Sequence, residues 1–407
     1  MKKPEKMHYY PSIFFKTSSL LVLLAFIINA PAMAAFASGG DGSLGALNVT
    51  TDTVLDMPED GIFRYTTINI AAETTLTFNK NANNTPVYLL TTGDVTINGV
   101  IDISGKQGGP TLGGEGGPGG FNGGKAGNPG IAGSEPSDGY GPGGGRRAAV
   151  NAAGGGSYAT KGRAANSGAV AREVYGSQLL IPLVGGSGGG GGSSVYGGGG
   201  GGGGAILIAS NTKIQLNGAI FATGGKSGIN PSAWGAGSGG AIRLVAPDVT
   251  GTGIFNAEGE NSTNGRGRVR VDMYLTGNTA FNLQCAGSVF PSTSCTVGSF
   301  MKTFLDNAPS LQITEVAGNA VTRNGQYFEL PFDSVASQPI SIRSSNFSRD
   351  ITVRVKLTPV SGDPIIQDFL LRKGAGAVQD DIVNMDFPLN TSVRVNAWTI
   401  PTPAPAP

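Results

Sequence analysis

Residues capable of acid–base or nucleophilic chemistry are scarce in this 407-residue chain. Its one histidine, His8, lies in a segment that we expect to be removed on export. The mature protein would then have no imidazole, which excludes Ser-His-Asp and Cys-His catalysis, histidine zinc sites and histidine general bases. Any chemistry would have to use carboxylates, Lys, Arg or Tyr.

The carboxylates do not form a recognisable catalytic pattern. Asp94 and Asp102 align with Lys213 and Phe221 in the second copy of an internal repeat, so no acidic ladder runs through the copies and no glycosidase-type carboxylate pair can be assigned. Acidic side chains are mostly solvated, and this is the interpretation we favour for Asp248, Glu258, Glu260 and Asp272. We predict no catalytic residues, no metal site and no cofactor, and an enzyme is the less favoured class.

Five residues are candidate ligand contacts. Arg266, Arg268 and Arg270 alternate with apolar residues, which places three charges on one strand face. They form either a cationic stripe for an anionic glycan or the solvated face of a terminal strand, and the second is commoner. Trp234 and Tyr196 lie in loops, where aromatic rings stack on sugars or pack against glycine surfaces.

Cys285 and Cys295 are the only two cysteines. An oxidising compartment favours a disulfide between them, and so short a loop gains about 2 to 3 kcal/mol in the chain-entropy model. Two thiolates without histidine make an incomplete zinc site.

The N-terminus predicts export. Four lysines precede an apolar run at residues 20–28 and Ala-x-Ala sites at residues 32–37, which is the pattern of a secretory signal peptide. The run is far shorter than the ~20 residues of a membrane span, so we expect a secreted or cell-surface protein that starts near Ala35 or Ser38 and has no membrane-spanning segment.

The charge of the mature chain is close to neutral. Four of the 28 Lys and Arg and one of the 27 Asp and Glu precede residue 35, which leaves 24 against 26. Nucleic acid is therefore not an expected partner, because it would require a clustered basic surface.

An internal repeat gives the strongest indication of fold. Three segments align from Val87, Ile206 and Ile242, with an offset of 119 and then of 36, which falls to 35 after a one-residue deletion. Apolar residues alternate within each copy, so one face of each strand is buried. Three short strands per copy make one coil of a right-handed parallel β-helix, and such coils must stack to bury their inner faces.

Glycine accounts for 68 residues, more than twice the usual ~7%. Most of the excess lies between the first two copies, where glycine often recurs every third residue. A collagen triple helix, a disordered linker and extended threads against the β-helix flank are the alternatives, and we favour the threads.

The eight glycines at 197–204 precede a strand pattern and not a helix, which argues against a phosphate loop. Glycine lets backbones approach closely, so this run is interpreted as a packing or corner element.

The composition changes after residue 300, where about six short alternating strands predict an immunoglobulin-like β-sandwich. We therefore divide this all-β chain into a signal peptide (1–37), a glycine-rich parallel β-helix domain (38–275), a disulfide-containing connector (276–300), an immunoglobulin-like β-sandwich (301–400) and a Pro/Ala-rich tail (401–407).

The motifs NGVIDISG, NGAIFATGG and GSGGAIRLVA, with the glycine-rich insert and the signal sequence, resemble a set of glycine-rich exported bacterial proteins of parallel β-helix type. The resemblance covers residues 61–274 and implies an architecture, without catalytic residues to carry over. The coil more distantly resembles that of pectate-lyase-like proteins, but their aspartate cluster with a basic residue is not recognisable here.

Three functions follow as hypotheses. The first is an adhesive or structural surface or matrix protein that binds polysaccharide or other cell-surface components. The second is a polysaccharide lyase or hydrolase that uses Arg and Asp. The third, an ice- or crystal-binding surface, would need a flat regular array, and the uneven inserts argue against it.

Overall fold

The computed structural model describes residues 35–127, 135–149, 153–164, 171–229, 234–259, 265–274, 284–285, 294–322, 329–331, 333–359 and 364–400. Within these ranges the chain is all-β, and none of it forms a helix of the length and apolarity that a membrane crossing requires. Most of the predicted signal peptide and the whole predicted tail lie outside the described residues.

Seventeen short strands in the first 300 residues form three parallel sheets. They are β1 (Leu47–Val49), β2 (Thr53–Asp56), β3 (Ile62–Tyr65), β4 (Ile68–Ile70), β5 (Thr75–Asn79), β6 (Val87–Thr91), β7 (Val95–Ile97), β8 (Val100–Asp102), β9 (Ala205–Ser210), β10 (Lys213–Leu216), β11 (Ala219–Phe221), β12 (Ala241–Val245), β13 (Asp248–Thr250), β14 (Ile254–Asn256), β15 (Arg268–Asp272), β16 (Gln284–Cys285) and β17 (Cys295–Gly298).

Consecutive strands belong to different sheets. The first sheet has the order β1-β4-β7-β10-β13, the second β2-β5-β8-β11-β14-β16 and the third β3-β6-β9-β12-β15-β17. The first two sheets therefore begin with β1 and β2, ahead of the region at 61–274 that the family resemblance covers. The sheets also continue past β15, because β16 and β17 add a strand to the second and third sheets. The predicted disulfide is present and joins these two strands through Cys285 and Cys295.

The strand register confirms the repeat alignment. Val87 pairs with Ile206, and Ile206 pairs with Ile242. Ile214 likewise lies between Val95 and Val249. The offsets of 119, 36 and 35 read from the sequence are thus the offsets between hydrogen-bonded neighbours.

The alternating apolar side chains form one core cluster to which all three sheets contribute, including Ile70, Leu76 and Leu89. A second cluster covers the other face of the third sheet. Leu207 belongs to it and is 1% exposed, which explains why β9 departs from apolar–polar alternation: a strand buried on both faces has no polar side.

The glycine-rich segments form extended threads that leave the second sheet and return to the third. We call the segment at 197–204 the central thread. Every third N–H group of the central thread donates to the same neighbouring thread, and three residues is the repeat of a polyproline-II helix. Gly198, Gly201 and Gly204 donate to Gly109, Lys106 and Ile103; Gly199 and Gly202 donate to Gly124 and Phe121; Gly200 and Gly203 donate to Gly235 and Ser238.

The central thread also accepts hydrogen bonds from three further threads, through N–H groups such as those of Gly114, Gly189 and Gly225, so it has six neighbours. A Cβ atom on Gly202 would overlap the carbonyl group of Gly186, and its flanking glycines meet neighbouring carbonyl groups in the same way. This packing explains the eight consecutive glycines. It also confirms that extended threads, not a loose linker, form the described parts of the insert.

The remaining strands form antiparallel sheets of four and three strands, in the orders β19-β18-β20-β23 and β22-β21-β24. They are β18 (Ser310–Val316), β19 (Asn319–Ala320), β20 (Ser337–Ser345), β21 (Ile351–Pro359), β22 (Ile365–Leu371), β23 (Val378–Asp386) and β24 (Val393–Ile400). A third apolar cluster, which includes Ile342, Val355 and Met385, draws on both sheets. The other face of β21 meets the threads, where the Tyr140 hydroxyl lies 2.6 Å from Oγ1 of Thr358.

Candidate functional site: the ends of the glycine threads

The hydrogen bonds define which end of each thread is remote from the sheets. Gly204 precedes β9 and bonds to Ile103, directly after β8, whereas Gly198 bonds to Gly109 at the other end of both threads. Residues 109–112, 193–197 and 228–229 therefore lie together at the end away from the sheets. We call this region the thread ends.

The three turns at the thread ends are bonded to one another. Gly109 donates to the Leu112 carbonyl at 2.8 Å, and Gly198 donates to the Gly109 carbonyl at 2.9 Å. Gly228 donates to the Gly198 carbonyl at 2.9 Å, and Ile229 donates to the Tyr196 carbonyl at 3.1 Å. Because these turns are fixed by interior threads, their side chains project from a rigid base.

Large apolar side chains project from all three turns. Leu112 is 72% exposed, Val195 65% and Ile229 53%. Single exposed apolar residues are normal on a protein surface, but neighbouring ones mark sites of interaction. The thread ends meet that description because their backbones are in direct contact.

Two of the predicted ligand contacts also lie at this end of the threads. Tyr196 belongs to the turn itself and is half-buried. Trp234 precedes Gly235, whose carbonyl accepts a hydrogen bond from Gly200 of the central thread, and the guanidinium carbon of Arg163 lies 3.5 Å from the centre of the Trp234 ring. A cation over an indole face is attracted by the ring quadrupole, so this contact holds the ring in place. Arg163 carries no sequence signal of its own, because it meets Trp234 only after two separate threads pack together.

The three predicted arginines do not share one open surface. The Arg266 backbone N–H donates to Thr160 Oγ1 at 2.9 Å. Arg268 donates to the Tyr175 carbonyl at 3.1 Å, and its guanidinium carbon lies 5.6 Å from the Tyr158 ring centre. Chain segments therefore cover this strand face, while a role in ligand binding remains a prediction.

Arg270 belongs to a buried ion cluster with Arg243 and Asp272. Both Asp272 and Arg243 are fully buried, so the interpretation of Asp272 as a solvated acid is wrong. One carboxylate oxygen accepts from Arg243 Nε at 3.1 Å and from Arg270 Nε at 2.9 Å. The other accepts from Arg270 Nη2 at 2.6 Å and from the Phe300 N–H at 2.9 Å. Burial lowers the pKa of Arg243, and Asp272 opposes that shift. The cluster fastens β12 and β15 to the segment at 300–302.

The other carboxylates singled out in the sequence are dispersed. Asp94 accepts from the Thr212 hydroxyl at 2.6 Å and lies 3.4 Å from Lys213 Nζ, where it is about half exposed. Glu260 lies outside the described residues. Over the part of the chain that the structure describes, no three His, Cys, Asp or Glu residues are arranged to hold a metal ion.

Searches of protein-family models, of curated proteins and of solved structures returned no match to this chain.

Proposed function

We propose that this is an exported adhesive protein of the cell surface or extracellular matrix, and that it binds its target with the thread ends. In this proposal the three parallel sheets close into the coils of a β-helix, as in the glycine-rich bacterial proteins that the sequence resembles. The antiparallel sheets form an immunoglobulin-like sandwich. Both act as stiff supports.

The observation that carries the proposal is the joining of three exposed apolar turns at the end of a hydrogen-bonded thread bundle. Binding residues are commonly found on loops held by a rigid scaffold. A pre-ordered loop loses little conformational entropy on binding, so more of the contact energy appears as affinity. The central thread supplies that order here, because it has backbone partners in six neighbouring threads.

The side chains favour a large target of mixed character. Tyr and Trp offer broad rigid surfaces with few rotatable bonds, and Arg adds charge and hydrogen bonds. Trp234 with Arg163, Tyr196 and the three apolar side chains supply these types. A polysaccharide, whose sugar rings have apolar faces and polar edges, is the target class that we propose.

The test is a retention assay with purified polysaccharides and cell-surface preparations, in which released oligosaccharide is measured in the same samples. We expect wild-type protein to be retained, and the triple variant L112S/V195S/I229S to lose most of the retention. The matched control is V335S/I382S/L389S, which removes apolar side chains of similar exposure, 71%, 69% and 62%, from the antiparallel part.

Equal retention of both triple variants would show that the thread ends are not the binding surface. Release of oligosaccharide by the wild type would instead favour the lyase or hydrolase alternative.

A further inference from the structure

The junction between the threads and the antiparallel sheets concentrates positive charge. Lys356 on β21 is fully buried. Its Nζ donates to the Asp138 carbonyl at 2.8 Å and lies 3.5 Å from the centre of the Tyr140 ring. Arg354, two residues earlier on the same strand face, pairs with Asp368 through two bonds of 2.7 Å.

The threads add Arg172 and Arg146 to this junction. Arg172 donates to the Asp138 carboxylate at 2.6 Å. Burial lowers the pKa of Arg172, and the charges of Arg354 and Arg146 lower it further. Burial lowers the pKa of Lys356, and the charge of Lys125 contributes to that shift. Arg172, Arg146, Arg354 and Lys356 thus bring four cations to a junction that contains the carboxylates of Asp138 and Asp368, and the Asp368 carboxylate already accepts both bonds from Arg354.

Polar atoms without partners accumulate at the same place. The Nε atoms of Arg146 and Arg172 are buried and have no hydrogen-bond partner, and the same holds for Asn396 Oδ1 and Trp398 Nε1. Asn396 and Trp398 lie beside Lys356 and Arg354 in the β21–β24 register. Buried polar groups are normally satisfied, so such a concentration indicates a bound ion or water. The unpartnered nitrogens of Arg146, Arg172 and Trp398 are donors, so an anion would satisfy them and also offset the repulsion among the cations. Asn396 Oδ1 is an acceptor and would need a water instead.

We propose that this junction is a binding site for an oxyanion group, formed by Arg146, Arg172, Arg354 and Lys356. Guanidinium groups bind carboxylate, sulfate and phosphate oxygens through paired hydrogen bonds. The group is either a free inorganic anion or the sulfate or uronate group of an acidic polysaccharide. The two proposals are tested by different variants: R146Q leaves Leu112, Val195 and Ile229 in place, and L112S/V195S/I229S leaves the cations of the junction in place.

The test compares wild-type protein with R146Q, because no ion pair or side-chain hydrogen bond among the described residues depends on Arg146. Binding is measured by calorimetry with sodium sulfate, with a sulfated oligosaccharide and with oligogalacturonate. We expect saturable binding by the wild type and at least about tenfold weaker binding by R146Q, since a hydrogen bond to a charged group contributes that much. The control is R343Q, which removes an equal charge from the exposed Arg343–Asp380 pair and should bind like the wild type.

Tighter binding of either saccharide than of sulfate would assign the site to a polysaccharide, and the reverse order would assign it to a free anion. Absence of saturable binding to all three probes, or equal affinities for wild type, R146Q and R343Q, would overturn the proposal. If R146Q does not fold, R146K takes its place: it keeps the charge but loses the fork of donors, so weaker binding is again expected.

Discussion

The Nζ atom of Lys356 lies 3.5 Å from the centre of the Tyr140 ring, at the place where the antiparallel sheets meet the glycine threads. The ring stabilises the ammonium form, as do the Asp138 carbonyl that accepts its hydrogen bond and the Asp138 carboxylate. Complete burial opposes them and is the largest effect. Together with the charges of Arg354, Lys125 and Arg172, it lowers the pKa of Lys356 to about 7.

This lowered pKa predicts that stability rises with pH. Between about pH 7 and about pH 10 the native state binds fewer protons at Lys356 than the unfolded state does, so the free energy of unfolding increases, by up to about 4 kcal/mol. Urea unfolding across this range would measure the slope. K356M should flatten it, whereas the exposed-site control K161M should keep it. A wild-type slope of zero would contradict the prediction.

The free energy of unfolding should stop rising above about pH 10. Burial raises the pKa of Tyr88 to about 12 and also raises the pKa values of Tyr140 and Tyr175. The native state then binds more protons than the unfolded state in strong alkali, which reverses the slope. The same urea series, extended to higher pH, would locate the maximum.

The strand register could be predicted from the sequence, whereas the covering of the third sheet could not. Val87, Ile206 and Ile242 align because each must face the same core with a period of two. Arg243 occupies an outward position that alternation alone assigns to solvent. It is buried because residues 300–302 return to that face from far along the chain, and no local pattern reports such a contact.

The thread ends were predicted only in part for a related reason. Trp234 and Tyr196 could be singled out as aromatic residues in glycine-rich loops. Their proximity to Arg163 and Leu112 depends on how many turns each thread makes before it reverses. The glycine-rich composition indicates only that backbones approach closely, and it gives neither the lengths of the threads nor which of them become neighbours.

The packing around the central thread predicts that alanine destabilises the protein far more at Gly202 than at Gly109. G202A should destabilise the protein by about 3 kcal/mol or more, because its Cβ would overlap the Gly186 carbonyl group and interior backbone has no room to move. G109A is the control, since its Cβ would lie 3.5 Å from the nearest atom. It should change stability by about 1 kcal/mol or less. Comparable unfolding midpoints for the two variants would contradict the six-neighbour packing.

The buried ion cluster predicts a large effect of a small substitution. D272N removes the one carboxylate that Arg243 and Arg270 share, which leaves two buried guanidinium groups without a counter-charge. Loss of one partner from a buried pair costs roughly 3 to 5 kcal/mol. Thermal unfolding should show this loss, while D380N, in an exposed pair with Arg343, should unfold like the wild type.

The contribution of Phe36 to stability can be tested with two chains that begin at the two predicted starts of the mature protein, Ala35 and Ser38. This side chain is 7% exposed and packs in the apolar cluster over the third sheet, ahead of Ser38, whose hydroxyl donates to the Thr91 carbonyl at 2.7 Å. A chain that begins at Ala35 should therefore be more stable than one that begins at Ser38, by about 2 to 3 kcal/mol for the buried ring. F36A in the longer chain should reproduce the loss, and L44A, at a site that is 55% exposed, should not. Equal stability of the two chains would contradict the contribution of the ring to the packing over this sheet.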